Sequence, residues 1–421
     1  MKTKMIFTFA FVLCVACGLL FWLDLGKEPP AETEQPAKLE RSAEKVAQVV
    51  QVTQVPGLPD AKWPDGEPGA DDEAISFDLE AAYYYNDTDY LLYGVSRTAD
   101  GWQGKIFRMA DGAEPEQLCV WPEDSLYEND CYLSGYYLSA SQQLVLYNQR
   151  KHAFLVYDNV TGQAQEFAVP DSLELNRDDQ AFWLGDGRYL LTRFEQDPKE
   201  LQRITHFINL YDEKTGMEVR LAKMNCSWCL FMPPTVQRPD RWLLLGTDSG
   251  DLLEVTLPVN SGEVKVQQRR VYAEWPTSVS WLAYKEVQPV QNVAGDYVVM
   301  CAVCEDGTHY QIVNLNGRVL GECTPDDNNG GGLLAAYGDT IYFSEHFAGD
   351  NTDACRIVAC NYADNANKII FVTETDGLTE NYPGLWNFEK GAISPDGQHL
   401  LILADDYVVK LKLAPDATAA D

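Results

Sequence analysis

The chain has 421 residues, 64 acidic against 32 basic side chains for a formal net charge of −32, and is 46% hydrophobic with 11% aromatic residues. That apolar load excludes a disordered acidic polymer, because such chains lack the side chains that offset the entropy of ordering. The charge excludes nucleic acid as a partner, since a phosphate backbone is held by lysine and arginine displacing counterions.

Lys2 and Lys4 precede residues 5–23, a run of nineteen without a charge. As a helix this run is about 28 Å long, close to the roughly 30 Å of a bilayer's hydrocarbon core. A cleaved signal peptide has a shorter apolar core and a small-residue exit site. Here the small cluster at 15–18 lies inside the run and is followed by LLFWL. Three readings stand: an uncleaved signal anchor, a lipoprotein acylated at Cys17, and a secreted protein whose signal peptide is removed. Cys14 occupies the place where a lipoprotein signal has a leucine-like residue. With both lysines before the run and Asp24 after it, the positive-inside rule puts the rest of the chain outside the cytoplasm. The expected location is the cell membrane, crossed once, with the C-terminal domain periplasmic or extracellular.

Residues 24–72 are rich in Pro, Glu, Ala, Gln and Asp and poor in large apolar side chains, which reads as a disordered acidic linker. Within it AKLERSAEKVAQVVQV, 37–52, has the composition and partial period of a short helix.

From residue 73 one pattern recurs: an apolar strand, a turn, a second apolar strand, then a hairpin tipped by Gly or Asn. The second strands read DYLLYGV from Asp89, QLVLYN from Gln143, RYLLTRF from Arg188, RWLLLGT from Arg241, DYVVMCAV from Asp296, DTIYFSE from Asp339 and HLLILAD from His399. Hairpin tips follow in phase at Gly112, Gly162, Gly216, Gly262 and Gly317, with Asn365 and Asn367 in a sixth copy. Gly and Asn tolerate the positive φ of such turns, and a repeat of about 40–55 residues built of four strands is the mark of a β-propeller blade. Seven blades over 73–415 are expected, six being the alternative count, with 416–421 as a tail. The last copy holds three strands, so EAISFDL, 73–79, is expected to supply its fourth and close the ring.

SPDG at 394–397 resembles the strand turn of TolB-like and WD-repeat-like bacterial propellers, and YDNVTG and YDEKTG resemble hairpins of quinoprotein-like propeller repeats. The resemblance implies a fold superfamily whose members include binding, scaffold and assembly proteins as well as enzymes.

Several residue groups carry candidate chemistry. Cys226-Ser-Trp-Cys229 and Cys301-Ala-Val-Cys304 have zinc half-site spacing, but 72 residues separate them, and Cys301 and Cys304 sit three apart in an apolar strand, facing opposite ways. The other cysteines read as structural, with Cys119–Cys131 and Cys355–Cys360 the nearest candidate disulfides. His152, His206, His309, His346 and His399 are scattered over different blades without HxH or HExxH spacing, which reads as ordinary surface or packed histidine. Ser394 reads as a turn residue. Acidic loops at 70–73, 86–89, 325–327, 349–353 and 404–406 could hold Ca²⁺ or be plain solvated loops; none has the DxDxDG spacing, and no cofactor is expected beyond this possible Ca²⁺. Trp183, Trp281, Tyr337 and Trp386 lie in or near first strands, where they either line a central channel and stack on a sugar or peptide or simply pack blade against blade, with Asn328 and Asn329 in an NNGGG loop between two blades that reads as a binding loop or a linker.

The expected function is a membrane-anchored extracytoplasmic propeller that binds or scaffolds a protein through loops on one face. Two alternatives stand beside it: a hydrolase or lyase using loop carboxylates, and a ligand-sensing domain that signals through a partner subunit.

Overall fold

The computed structural model describes residues 47–55 and 77–413, apart from 99–100, 123–132, 149–150, 177–178, 186, 197–203, 236–237, 248, 250, 258–263, 271–281, 292–296, 305–306, 315–317, 326–329, 349–352, 374–387, 389 and 405. Apart from a one-turn 3-10 helix at Asp171–Leu173, every regular element described is a β-strand. Twenty-eight strands pair into seven four-stranded antiparallel sheets, six of them consecutive in sequence.

The second strand of each sheet is largely buried on both faces, as in Gln143–Asn148, Arg241–Gly246 and His399–Ala404, which explains why these strands read as unbroken apolar runs instead of alternating ones. In blade 1 the second strand, Tyr90–Thr98, sends Leu91 into a core shared with blade 2 and Leu92 into a core shared with blade 7. In blade 4 the strand Arg241–Gly246 sends Leu244 toward blade 3, and Leu243 and Leu245 toward blade 5. Cores join blades 1 and 2, blades 2, 3 and 4, blades 4 and 5, blades 5 and 6, blades 6 and 7, and blades 7 and 1. That cyclic sequence of contacts makes the seven sheets a closed ring. Fully burying one such leucine contributes about 1.5–3 kcal/mol.

Ring closure differs from the sequence expectation. Blade 7 consists of Lys390–Ile393, His399–Ala404, Tyr407–Leu413 and, as its outer strand, Ala47–Gln54. The closing strand runs antiparallel to the third, from Ala47 opposite Leu413 to Gln54 opposite Tyr407. Residues expected to be linker, and in part helix, therefore belong to the propeller. A bulge between Val49 and Gln51 turns Val50 outward at 51% exposure and interrupts the two-residue alternation, so the valines fall at spacings that mimic a helix. The β-branched Val and Thr content is the signal that favours strand. Phe77 to Leu79, expected to close blade 7, instead begin the first strand of blade 1, Phe77–Tyr84, with its own bulge between Leu79 and Ala81.

Four of the expected hairpin-tip residues have the expected conformation: Gly112, Gly162 and Gly216 have φ of 69°, 70° and 66°, and Asn365 has 53°, whereas Asn367 lies in the strand Ala366–Val372 opposite Cys360. In YDNVTG and YDEKTG, Asp158 and Asp212 accept hydrogen bonds from backbone N–H groups two and three residues on, and Gly162 and Gly216 donate back to the carbonyls of those aspartates. The aspartate side chain thereby satisfies donors that the turn leaves unpaired. Gly262 and Gly317 lie outside the described residues.

Antiparallel order places the blade-to-blade crossings and the second-to-third-strand loops at one face of the ring, the crossing face. The first-to-second-strand turns and the third-to-fourth-strand hairpins lie at the other.

Candidate metal centre at the crossing face

The structure brings together a group that spacing alone does not reveal. His206 lies near the start of Ile204–Asp212, the third strand of blade 3. Cys226 sits in the crossing that follows that blade's outer strand, Met217–Met224, and Cys229 is the first residue of Cys229–Met232, the inner strand of blade 4. All three are buried, and a ligand atom from each lies within 4.8 Å of the others. The two Sγ atoms are 3.5 Å apart.

Local structure prepares this arrangement. His206 stands opposite Met224 in the outer pairing of blade 3, two residues before Cys226, so the strand register delivers the imidazole to the mouth of the CxxC turn. Its ring meets the ring of Phe194 edge to face, with centroids 5.7 Å apart. Nε2 lies 3.5 Å from the Ser227 carbonyl, to which it can only donate, and the tautomer that does so carries its lone pair on Nδ1. The turn itself is clamped to Thr247. Trp228 N–H donates to the Thr247 hydroxyl, and both that hydroxyl and Thr247 N–H donate to the Trp228 carbonyl. Cys229 pairs with Gly246, where an added Cβ would come within 3.0 Å of Cys226 Cβ and 3.2 Å of its Sγ, so only glycine leaves the Cys226 thiol its place. Ser227 and Trp228 stay outside, Trp228 at 46% exposure.

An ionic clamp stiffens the same blade. The carboxylate of Asp179, fully buried, accepts from the backbone N–H groups of Asn176 and Phe194 and from Arg193, whose guanidinium also makes a two-point contact with Glu218. The hydrogen bonds from Arg193 hold the Glu218 carboxyl below its usual range, and the bonds to Glu218 raise Arg193. Phe194, fixed by Asp179, is the residue whose ring meets His206.

Other expected site residues do something different. Trp183, on the first strand of blade 3 (Gln180–Gly185), stacks its ring on Phe167 of blade 2, while its backbone N–H donates to the Tyr136 hydroxyl and that hydroxyl donates to its backbone carbonyl. Tyr337, at the end of the first strand of blade 6 (Gly330–Tyr337), packs its ring against Gly397 of blade 7 and donates to the Pro395 carbonyl. Both are blade-to-blade packing residues. Three glycines of the NNGGG loop belong to that same strand. Trp281, Trp386, Asn328, Asn329 and Cys17 lie outside the described residues; by sequence position the first four fall in crossings between blades. Residues 1–46 are likewise undescribed, and among the described residues no helix is long and apolar enough to cross a membrane.

Ser394 is fully buried. Its hydroxyl donates to Asp396 and accepts from His399 N–H, while Gly397 N–H donates to its carbonyl, a turn as expected. In the 86–89 loop the Asn86 side chain organises the turn, accepting from Thr88 and Asp89 N–H and donating to Asp89. The other acidic loops lie wholly or partly outside the described residues.

The cysteines need correction. Cys360 is bonded to Cys323, with Cα atoms 6.1 Å apart, and Cys355 is a buried thiol. Cys355 and Cys360 share the strand Asp353–Asn361 at an odd spacing, so they face opposite sides, Cys355 toward blade 7 and Cys360 toward blade 5. Burial pushes the Cys355 thiol up to about 12. Cys119 is a free, partly buried thiol, and Cys131 lies outside the described residues. Cys301 belongs to the core between blades 5 and 6, so a four-thiolate site with Cys226 and Cys229 does not form.

The fold defines a seven-bladed β-propeller. No family model matches the chain, and no curated protein matches it. Among solved structures, a chain of a mitotic checkpoint complex is 14% identical, with 90% of this chain and 98% of that chain covered at a TM-score of 0.46. An oligogalacturonate lyase in complex with manganese is 11% identical, with 81% and 91% covered at a TM-score of 0.45. The blade count rests on the chain's own seven sheets.

Proposed function

We propose that this chain is an extracytoplasmic, membrane-anchored propeller that binds a protein partner through its crossing face. The observation that carries this reading is the closed ring. With the second strand of each blade packed on both neighbouring blades, the sheets form a rigid frame for the loops at their ends, an arrangement that lowers the entropy cost of recognition. Trp228 lies exposed in one crossing, an aromatic side chain of the kind that anchors interfaces. Two features favour export: the apolar run at 5–23 and the blade-to-blade disulfide, which persists in an oxidising compartment.

The test is affinity capture from detergent-solubilised native membranes, with the full chain and a chain starting at Lys45, which keeps the closing strand, as baits. The expected result is one stoichiometric protein retained by both and weakened by Trp228→Ala. Retention of no protein by either bait would overturn the reading.

A further inference from the structure

We infer that Cys226, Cys229 and His206 form a binding site for a zinc ion. The geometry suits the ion. Two thiolates on a tetrahedral zinc, each at about 2.3 Å, stand about 3.8 Å apart. The observed 3.5 Å between Sγ atoms is near that separation and far beyond the roughly 2.05 Å of a disulfide. The imidazole nitrogen completes three ligand atoms within 4.8 Å, all on buried side chains. Two thiols and one imidazole are soft-to-borderline ligands, which favour zinc over calcium or magnesium.

The surroundings are built as well as the ligands. Thr247 fixes the turn between the cysteines, the glycine at 246 makes room for one thiol, and the Ser227 carbonyl lies 3.5 Å from the imidazole Nε2. A metal-bound histidine commonly donates its other N–H to such an acceptor. Three protein ligands leave a fourth position for water or an incoming group.

Binding is written as Zn²⁺ plus two thiols giving the bis-thiolate complex and two protons, with no change in oxidation state. Affinity should therefore rise with pH. The ion would tie the third strand of blade 3 to the inner strand of blade 4 and set the turn that displays Trp228. The inference stands on this geometry alone and is independent of the partner reading.

The experiment titrates the full chain in detergent, under a thiol-protecting reductant, with Zn²⁺ against a chromophoric chelator and with Co²⁺ as a spectroscopic probe. The expected result is one tight Zn²⁺ equivalent, release of two protons, and a tetrahedral Co²⁺ spectrum with a thiolate charge-transfer band. Cys226→Ser, Cys229→Ser and His206→Gln should each weaken Zn²⁺ binding by more than the roughly 10–100-fold that loss of an outer partner costs. Cys355→Ser, a buried thiol in another core, should leave binding unchanged and controls for folding. Absence of the thiolate band, or binding that survives the Cys226 and Cys229 substitutions, would overturn the inference.

Discussion

Two seams of the ring carry paired cysteines and use them in opposite ways. Between blades 5 and 6, Cys323 ends an outer strand, Val319–Cys323, and Cys360 lies on a third strand, facing each other across the seam as a disulfide. Between blades 3 and 4, Cys226 and Cys229 come from one turn, lie 3.5 Å apart as thiols and have an imidazole beside them. The difference shows what each seam asks of its cysteines. A bond between blades closes a 37-residue loop of the unfolded chain, whereas by the same loop-entropy estimate a bond within a four-residue turn would contribute about half as much. A pair so close in sequence gains less as a cross-link and is well placed to ligate. Between blades 6 and 7, Cys355 shows a third use, a buried thiol held protonated by burial.

The largest effect should come from neither seam but from the strand that completes blade 7. A chain starting at residue 55 should lose the cooperative thermal transition that a chain starting at Lys45 retains, because the third strand, Tyr407–Leu413, becomes an open edge and the apolar sides of Ala47, Val49 and Val52 are lost. Circular dichroism melts of the two chains compare them.

At the covalent seam, Cys323→Ser with Cys360→Ser should cost about 3–4 kcal/mol by the loop-entropy estimate. Denaturant unfolding with and without reductant checks this: reductant should destabilise the native chain and leave the double variant unmoved. A metal chelator should destabilise the native chain and the double variant alike, because the His206, Cys226 and Cys229 site of the seam between blades 3 and 4 is present in both.

Beside the thiol seam, Glu218 gives a smaller, pH-dependent effect. Its carboxyl is held below the ordinary value of 4.5, so its contribution is fully present above that value and is lost as pH falls through it toward the lower folded value. Glu218→Gln should cost about 1 kcal/mol at neutral pH, after allowance for partial exposure, and should flatten stability against pH between about 5 and 3. Unfolding midpoints across that range decide it. The smallest effect belongs to the hairpins: Gly216→Ala, where an added Cβ meets nothing within 4 Å, should cost about 1 kcal/mol through its φ of 66° alone.

The blades were legible in the sequence because burial on both faces makes each second strand a continuous apolar run, as in QLVLYN, RWLLLG and HLLILA, and the hairpin tips favour Gly or Asn at a fixed phase. Asn365, at φ 53°, was readable on the same ground. The closing strand was not, since the bulge at Val50 breaks its alternation and its partner lies at the other end of the chain. His206 was hidden for a related reason: twenty residues separate it from Cys226, and only the register that sets it opposite Met224 brings them together. A histidine in the third strand of the blade preceding a CxxC crossing is the signal that could have found the site. Trp183 packs against Phe167 of blade 2 because a first strand has a face toward the neighbouring blade as well as an end at the channel.

The most direct test of the contrast between seams is peptide mapping of the full chain from its native membranes, denatured with chelator and alkylated without reductant. The expected map shows label on Cys226, Cys229 and Cys355 and an unlabelled Cys323–Cys360 cross-link. A Cys226–Cys229 disulfide, or label on Cys323 and Cys360, would contradict it.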